Sequence, residues 1–156
     1  TRVVATSRDF TTGTFRSTGS PLDMAIQGDG FFQINKPDGT TVYTRAGNFH
    51  RDSQGSVVTS DGYALEPAIT IPENATSVSI SRDGVVSATI PGQSASQQLG
   101  TIELATFQNP AGLTPLGGNM FQITSASGDA QVGPAGNEQR GMLTQGYLED
   151  SNVSVV

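Results

Sequence analysis

Polar and apolar positions alternate with period two over much of the chain. Ser77-Val78-Ser79-Ile80-Ser81 puts its apolar side chains on one face, and Val86, Ala88 and Ile90 do the same beyond Arg82-Asp83-Gly84. An Asp-Gly pair between two alternating runs predicts a hairpin whose central residues both take positive φ. The same grammar recurs. Phe31-Phe32-Gln33-Ile34 reads as a strand, Pro37-Asp38-Gly39 as a turn, and Thr40 to Thr44 as the returning strand. Ser53-Gln54-Gly55 separates Asn48–Arg51 from Ser56–Thr59, and Asp61-Gly62 leads into Tyr63-Ala64-Leu65. Later strands are predicted over Thr101–Phe107, Met120–Thr124 and Met142–Leu148. No stretch of helical length keeps an i, i+3, i+4, i+7 apolar pattern. Residues 91–98 and 125–140 lack periodicity and read as loops. The expected fold is all-β, an irregular domain of short antiparallel strands and hairpins.

Three segments are expected. Residues 1–20 are rich in Thr, Ser and Arg, with Phe10 and Phe15 as large apolar anchors, and read as an extended segment packing on the core. Residues 21–148 form the β-rich core. In residues 149–156, Ser151 and Asn152 follow Glu149-Asp150 in the manner of a helix N-cap. The start, Thr1-Arg2-Val3-Val4, resembles neither a signal peptide nor an initiator region, so the chain is expected to be a piece of a longer protein.

Composition narrows the function. Charged residues make up 14% of the 156 residues, where roughly 25% is typical. Ser, Thr, Asn and Gln supply one third. The net charge of −6 and the scattered cations argue against nucleic-acid binding. No apolar run is long enough to span a membrane as a helix. The absence of cysteine removes disulfides, thiolate zinc sites and a cysteine nucleophile.

Candidate chemistry is sparse. His50 is the single histidine, and no Gly-x-Ser-x-Gly elbow accompanies it. Asp23, Asp29, Glu66 and Glu103 could in principle pair as glycosidase acids, but Asp29 and Asp61 precede glycines as turn residues do. Asp52-Ser53-Gln54-Gly55 lacks the ligand spacing of a calcium loop. Gly28-Asp29-Gly30 precedes a strand, so no helix N-terminus is there for a phosphate. The sequons at Asn74 and Asn152 match a pattern that is frequent by chance. Phe31, Phe32, Tyr43, Phe49 and Tyr63 could line a groove, although aromatics at strand spacing more often form core. No catalytic residue, metal or cofactor is expected.

The run from Ser20 to Ile34 resembles the signature of the bacterial flagellar rod, hook and hook-associated proteins. It carries Leu22, Asp23, Ala25, Gly28, Gly30, Phe31 and Phe32. Tyr43, Thr44, Arg45, Gly47 and Phe49 continue the likeness, followed by Gly55, Val57-Val58-Thr59 and Gly62-Tyr63. The second half is similar to the distal-rod branch in particular, through Asn109, Pro110, Gly112 and Leu113 and through Ser151, Asn152 and Val153. The resemblance covers nearly the whole chain. It implies a structural subunit that polymerises helically into a drive shaft carrying torque from motor to hook. The implied partners are further copies of itself, the hook protein, the proximal rod proteins and the outer P and L bushing rings. The implied location is the flagellar basal body, from periplasm to outer membrane, after export through the flagellar type III apparatus. Family members carry N- and C-terminal helices that pack as coiled coils. A core lacking both is expected to be monomeric. Two other readings remain open: another axial member (proximal rod or hook) reduced to the same core, and a carbohydrate-binding or carbohydrate-cleaving β-domain. The lack of Trp and the presence of only three Tyr weigh against the last. Sparse charge suits a subunit packed on all sides, because buried unpaired charges are costly.

Overall fold

The computed structural model describes residues 13–150. Their strands are β1 (Phe15–Ser17), β2 (Met24–Gln27), β3 (Phe31–Asn35), β4 (Thr41–Thr44), β5 (His50–Arg51), β6 (Val57–Val58), β7 (Ala64–Glu66) and β8 (Ser77–Ile80). They continue with β9 (Val85–Thr89), β10 (Gln97–Thr101), β11 (Glu103–Thr106), β12 (Thr114–Gly117), β13 (Met120–Gln122), β14 (Gln131–Pro134), β15 (Met142–Gln145) and β16 (Tyr147–Glu149). A single 3-10 turn, Pro110–Gly112, is the only helical element among the described residues. Every strand pair is antiparallel.

The central strand is β3. It pairs with β4 along one edge, and with both β11 and β7 along the other, in a nine-stranded sheet that includes β12, β13, β5, β6 and β14. Alternate residues divide between two cores. Phe32 and Ile34 of β3, Val42 of β4 and Leu104 of β11 enter the main core. Phe31, Tyr43 and Ala105 enter a smaller core on the opposite face with Phe107 and Leu113. This is why residues 31–34 read as an almost unbroken apolar run: the strand is covered on both faces. The main core is completed by Met24 and Ile26 of β2, Leu143 of β15, and Ile80 and Val86 of the β8–β9 hairpin.

Four tight turns share one geometry. In each, the glycine N–H donates to the carbonyl three residues back, and that residue's own N–H donates to the carbonyl after the glycine. The turns are Lys36–Gly39, Asp52–Gly55, Thr59–Gly62 and Ser81–Gly84. Only the glycine has positive φ, at 89–90°. The expectation that both central residues of the Asp-Gly hairpins would take positive φ is therefore corrected. These are three-residue loops closed by a left-handed glycine.

Three further expectations are corrected. The run Met142–Leu148 is two strands, because Gly146 at φ 81° breaks it. The chain there stops pairing with β2 and starts pairing with β1. The loop expected over 125–140 contains β14, an edge strand with Gly133 and Pro134 in it. Its inward position is Gly133, and the Arg140 guanidinium lies over it, 2.6 Å from where a β-carbon would stand. A strand whose buried position is glycine leaves no period-two apolar trace. Finally, Gln97 and Gln98 belong to β10, paired to β9, rather than to the preceding loop.

At Gly47 the constraint is space alone. A β-carbon there would sit 1.7 Å from the Met24 carbonyl oxygen, where the Met24 N–H donates to the Gly47 carbonyl at 3.0 Å. Gly47→Ala is expected to destabilise the fold by about 3 kcal/mol or more. Gly39→Ala, at an open turn, loses only about 1 kcal/mol from its left-handed backbone. Urea unfolding of the two variants checks the difference. A second expectation concerns pH. Burial, reinforced by the nearby Glu66 carboxylate, raises the Tyr43 phenol above its ordinary 10.0. Above that pH the unfolded chain releases a proton that the folded chain keeps, so stability falls as pH rises. Thermal melts between pH 8 and 11 should show this decline, and Tyr43→Phe should flatten it.

Candidate functional site

The family-signature residues converge around Arg45, at the end of β4. Its Nε donates to Glu149 Oε1 at 3.0 Å and its Nη2 to Glu149 Oε2 at 3.1 Å, a two-pronged ion pair. Nη1 donates to the carbonyls of Gly28 at 2.9 Å and Gly30 at 2.8 Å, and Nη2 also to that of Ile26 at 3.0 Å. The two side chains are only 12% and 10% exposed. The planar guanidinium suits this role, since it presents five donors in a fixed fork. Gly28 and Gly30 lie in the turn between β2 and β3 and Ile26 on β2 itself, and Arg45 donates to the carbonyls of all three.

Glu149 carries the clamp to the first and last described residues. Its Oε2 also accepts the Gly13 N–H at 2.7 Å. β16, which holds Glu149, pairs with β1, and Asp150 N–H donates to the Thr14 carbonyl at 2.8 Å. Exposed Arg16 and Asp150 form a further ion pair at 3.0 Å. The first and last described residues thus leave the core side by side.

The other signature residues surround this point. Leu22 packs against the main core. Asp23 accepts the Thr18 hydroxyl at 2.7 Å, and its backbone bridges Asn48. Ala25 is fully buried. Phe32 meets Phe49 edge to face at 5.1 Å. Phe31 and Tyr43 both meet Phe107 edge to face, at 5.7 and 5.0 Å. The Thr44 hydroxyl donates to the Asn119 carbonyl at 2.8 Å. The second signature stretch docks separately. The Asn109 side chain donates to the Ala126 carbonyl at 3.0 Å, Thr124 donates to that of Gly112 at 2.6 Å, and Leu113 fills the smaller core. A β-carbon on Gly112 would meet the Ala126–Ser127 peptide at 2.6 Å. Ser151, Asn152 and Val153, with the helix expected to start there, lie outside the described residues, as does Phe10.

Two adjoining concavities open beside the clamp and share Asp29 and Gln139. One, of about 490 Å³, lies between Gln27, Gly28, Arg82, Arg140, Gly141 and Met142. The other, of about 460 Å³, brings signature residues Gly30, Phe31, Arg45 and Pro110 to one wall. His50 lies exposed on β5. Among the described residues, no three His, Asp or Glu side chains are grouped to hold a metal.

Sequence reasoning missed Glu149, Arg140 and Gln145. Gln145 donates to the carbonyls of Pro21 and Val78, both at 2.9 Å, and accepts the Ile80 N–H, joining the β8–β9 hairpin to the core. Nothing in a sequence marks a glutamate whose partner stands 104 positions away.

Arg45→Met is expected to destabilise the domain by about 3–5 kcal/mol, because it leaves a nearly buried carboxylate unpaired. Glu149→Gln, which keeps one acceptor, should lose about 1–3 kcal/mol. Equilibrium urea unfolding measures both, and equal losses would contradict the two-pronged geometry.

The domain model described as "Flagellar hook protein FlgE/F/G D1 domain" matches residues 25–88. The flagellar basal-body rod protein FlgG of Caulobacter vibrioides is 50% identical over 144 residues, which cover 92% of this chain and 55% of that protein. FlgG of Borreliella burgdorferi is 46% identical over 157 residues, covering 99% of this chain and 59% of the relative. The flagellar hook protein FlgE of Brucella abortus is 49% identical over 53 residues, 34% of this chain and 13% of the hook protein. The chain spans little more than half the length of the rod proteins it matches. With the hook and rod D1 domain at its centre and similarity to rod proteins along nearly all of its length, the chain belongs to the flagellar hook and rod protein family, among the basal-body rod proteins.

Proposed function

We propose that this chain is the β-rich core of a structural subunit of the flagellar distal rod, assembling helically with further copies of itself to transmit torque from motor to hook. The observation that carries this reading is the extent of the likeness. Similarity to rod proteins runs along 92–99% of the chain, whereas similarity to the hook protein stops at 34%. The subunit works in the flagellar basal body, from periplasm to outer membrane, and reaches it through the flagellar type III apparatus. Its neighbours are the proximal rod proteins, the hook protein and the P and L rings.

The clamp suits the load. A shaft subunit must hold its head at a fixed angle to the segments that join it to the tube. Arg45 and Glu149 fix the adjoining strands β1 and β16 to the core with a low-exposure, two-pronged contact. On this reading residues 1–20 and 149–156 are the connecting segments and 21–148 the head. Such work needs no catalytic group, metal or cofactor.

Deletion of the gene should abolish motility, and electron microscopy of isolated basal bodies should show rods that stop short of the outer rings, with both defects repaired by a plasmid copy. Normal motility with intact rods would overturn the reading. Complete rods lacking only hooks would reassign the chain to the hook.

A further inference from the structure

We propose that the concavity floored by Gly28 and Gly141 and rimmed by Arg82 and Met142 is a docking site for an acidic turn of a second copy of this protein. The proposal rests on the rod reading for self-association and goes on to say where and through what chemistry copies meet.

The floor is bare backbone. Gly28 and Gly141 pack so closely that a β-carbon on Gly28 would stand 2.9 Å from the Gly141 α-carbon. The two backbone segments approach there with no side chain between them, beside a recess of about 490 Å³. On its rim Met142 is 44% exposed, one of few large apolar side chains so placed. Arg82 is exposed beside it, its Nη2 held by Gln27 Oε1 at 3.1 Å. Methionine and arginine together are what protein interfaces enrich relative to ordinary surface.

The charges are unevenly committed. Arg45, Arg140 and Arg16 each have a carboxylate within the domain. Arg140, at the back of the recess, is further satisfied by the carbonyls of Leu104 and Asn137. Arg82 has no carboxylate within ion-pair distance among the described residues, and Asp29 on the same rim is not within that distance of it. A positioned cation beside an apolar contact, in a protein of net charge −6, is complementary to the protein's own acidic surface. Asp38, Asp61 and Glu73 offer exposed carboxylates in loops and tight turns. Because the recess and these turns are different surfaces, the contact is head to tail. Such a heterologous contact builds an open helical array when its rotation does not close into a ring.

The test uses the full-length protein and its reversible association, followed by sedimentation velocity at low and moderate salt. Arg82→Glu should weaken association about tenfold or more and blunt its salt dependence, while the thermal midpoint stays unchanged. Arg51→Glu makes the same charge change on an exposed arginine outside the recess and should leave association near wild type. Equal weakening by both variants would reduce the effect to overall charge and overturn the site. Unchanged association of Arg82→Glu would also overturn it, while the rod reading stands. A wild-type protein that stays monomeric at all concentrations would sink the rod reading and the site with it.

Discussion

The fold depends on one guanidinium. Five hydrogen bonds from Arg45 hold the turn between β2 and β3 on one side and the last strand on the other. Three of its acceptors are backbone carbonyls, one on β2 and two in the bend that follows it. Left alone, each would carry the desolvation penalty of an unpaired buried polar group. The carboxylate of Glu149 balances the charge and brings the first and last described residues to the same place. Lysine could not substitute, since a compact ammonium cannot address three carbonyls and both oxygens of a carboxylate in one plane.

Around this point the sheet works as a partition. Short strands rarely hold a core by themselves, and among the described residues none exceeds five residues. Stability comes from burying both faces of β3 and β4. Aliphatic side chains gather on one side, and Phe31, Tyr43, Phe107 and Phe121 meet edge to face on the other. Open strand edges are blunted. β12 carries Pro115 and a register shift, β14 carries Pro134, and β10 is bulged between Gln98 and Gly100. Such edges resist strand-to-strand addition. On the proposed rod reading this is an advantage, because uncontrolled edge pairing would compete with ordered assembly.

The sparse charge acquires a specific meaning. Two arginines are spent inside the domain, Arg45 on the clamp and Arg140 over Gly133, where they satisfy carbonyls that apolar side chains could not. Several acids sit in turns, where Asp38 and Asp52 accept backbone N–H groups two residues on. The Thr40 hydroxyl and N–H hold the Asp38 carboxyl below its ordinary pKa. What remains outside is a polar surface on which a cation without an ion-pair partner among the described residues, such as Arg82, stands out.

The sequence by itself determined the strands from Phe31 to Leu65, the positions of the four tight turns and the place of the strand-spaced aromatics Phe31, Phe32, Tyr43 and Phe49 in the interior. Those features are local: period two sets which residues share a face, and a glycine free to take positive φ closes each three-residue loop. It also carried the family, because Gly47 and Gly112 are demanded by backbone contacts of 1.7 and 2.6 Å that no other residue allows. Only the tertiary structure decided the rest. β14 has glycine where an apolar residue would announce it, so its pairing with β11 left no periodic trace. Arg45 and Glu149 look like ordinary surface charges until folding brings them together across 104 positions. An ion pair of that separation is set by how sheets pack, and that is decided by side-chain volumes summed over the whole core rather than by any local pattern.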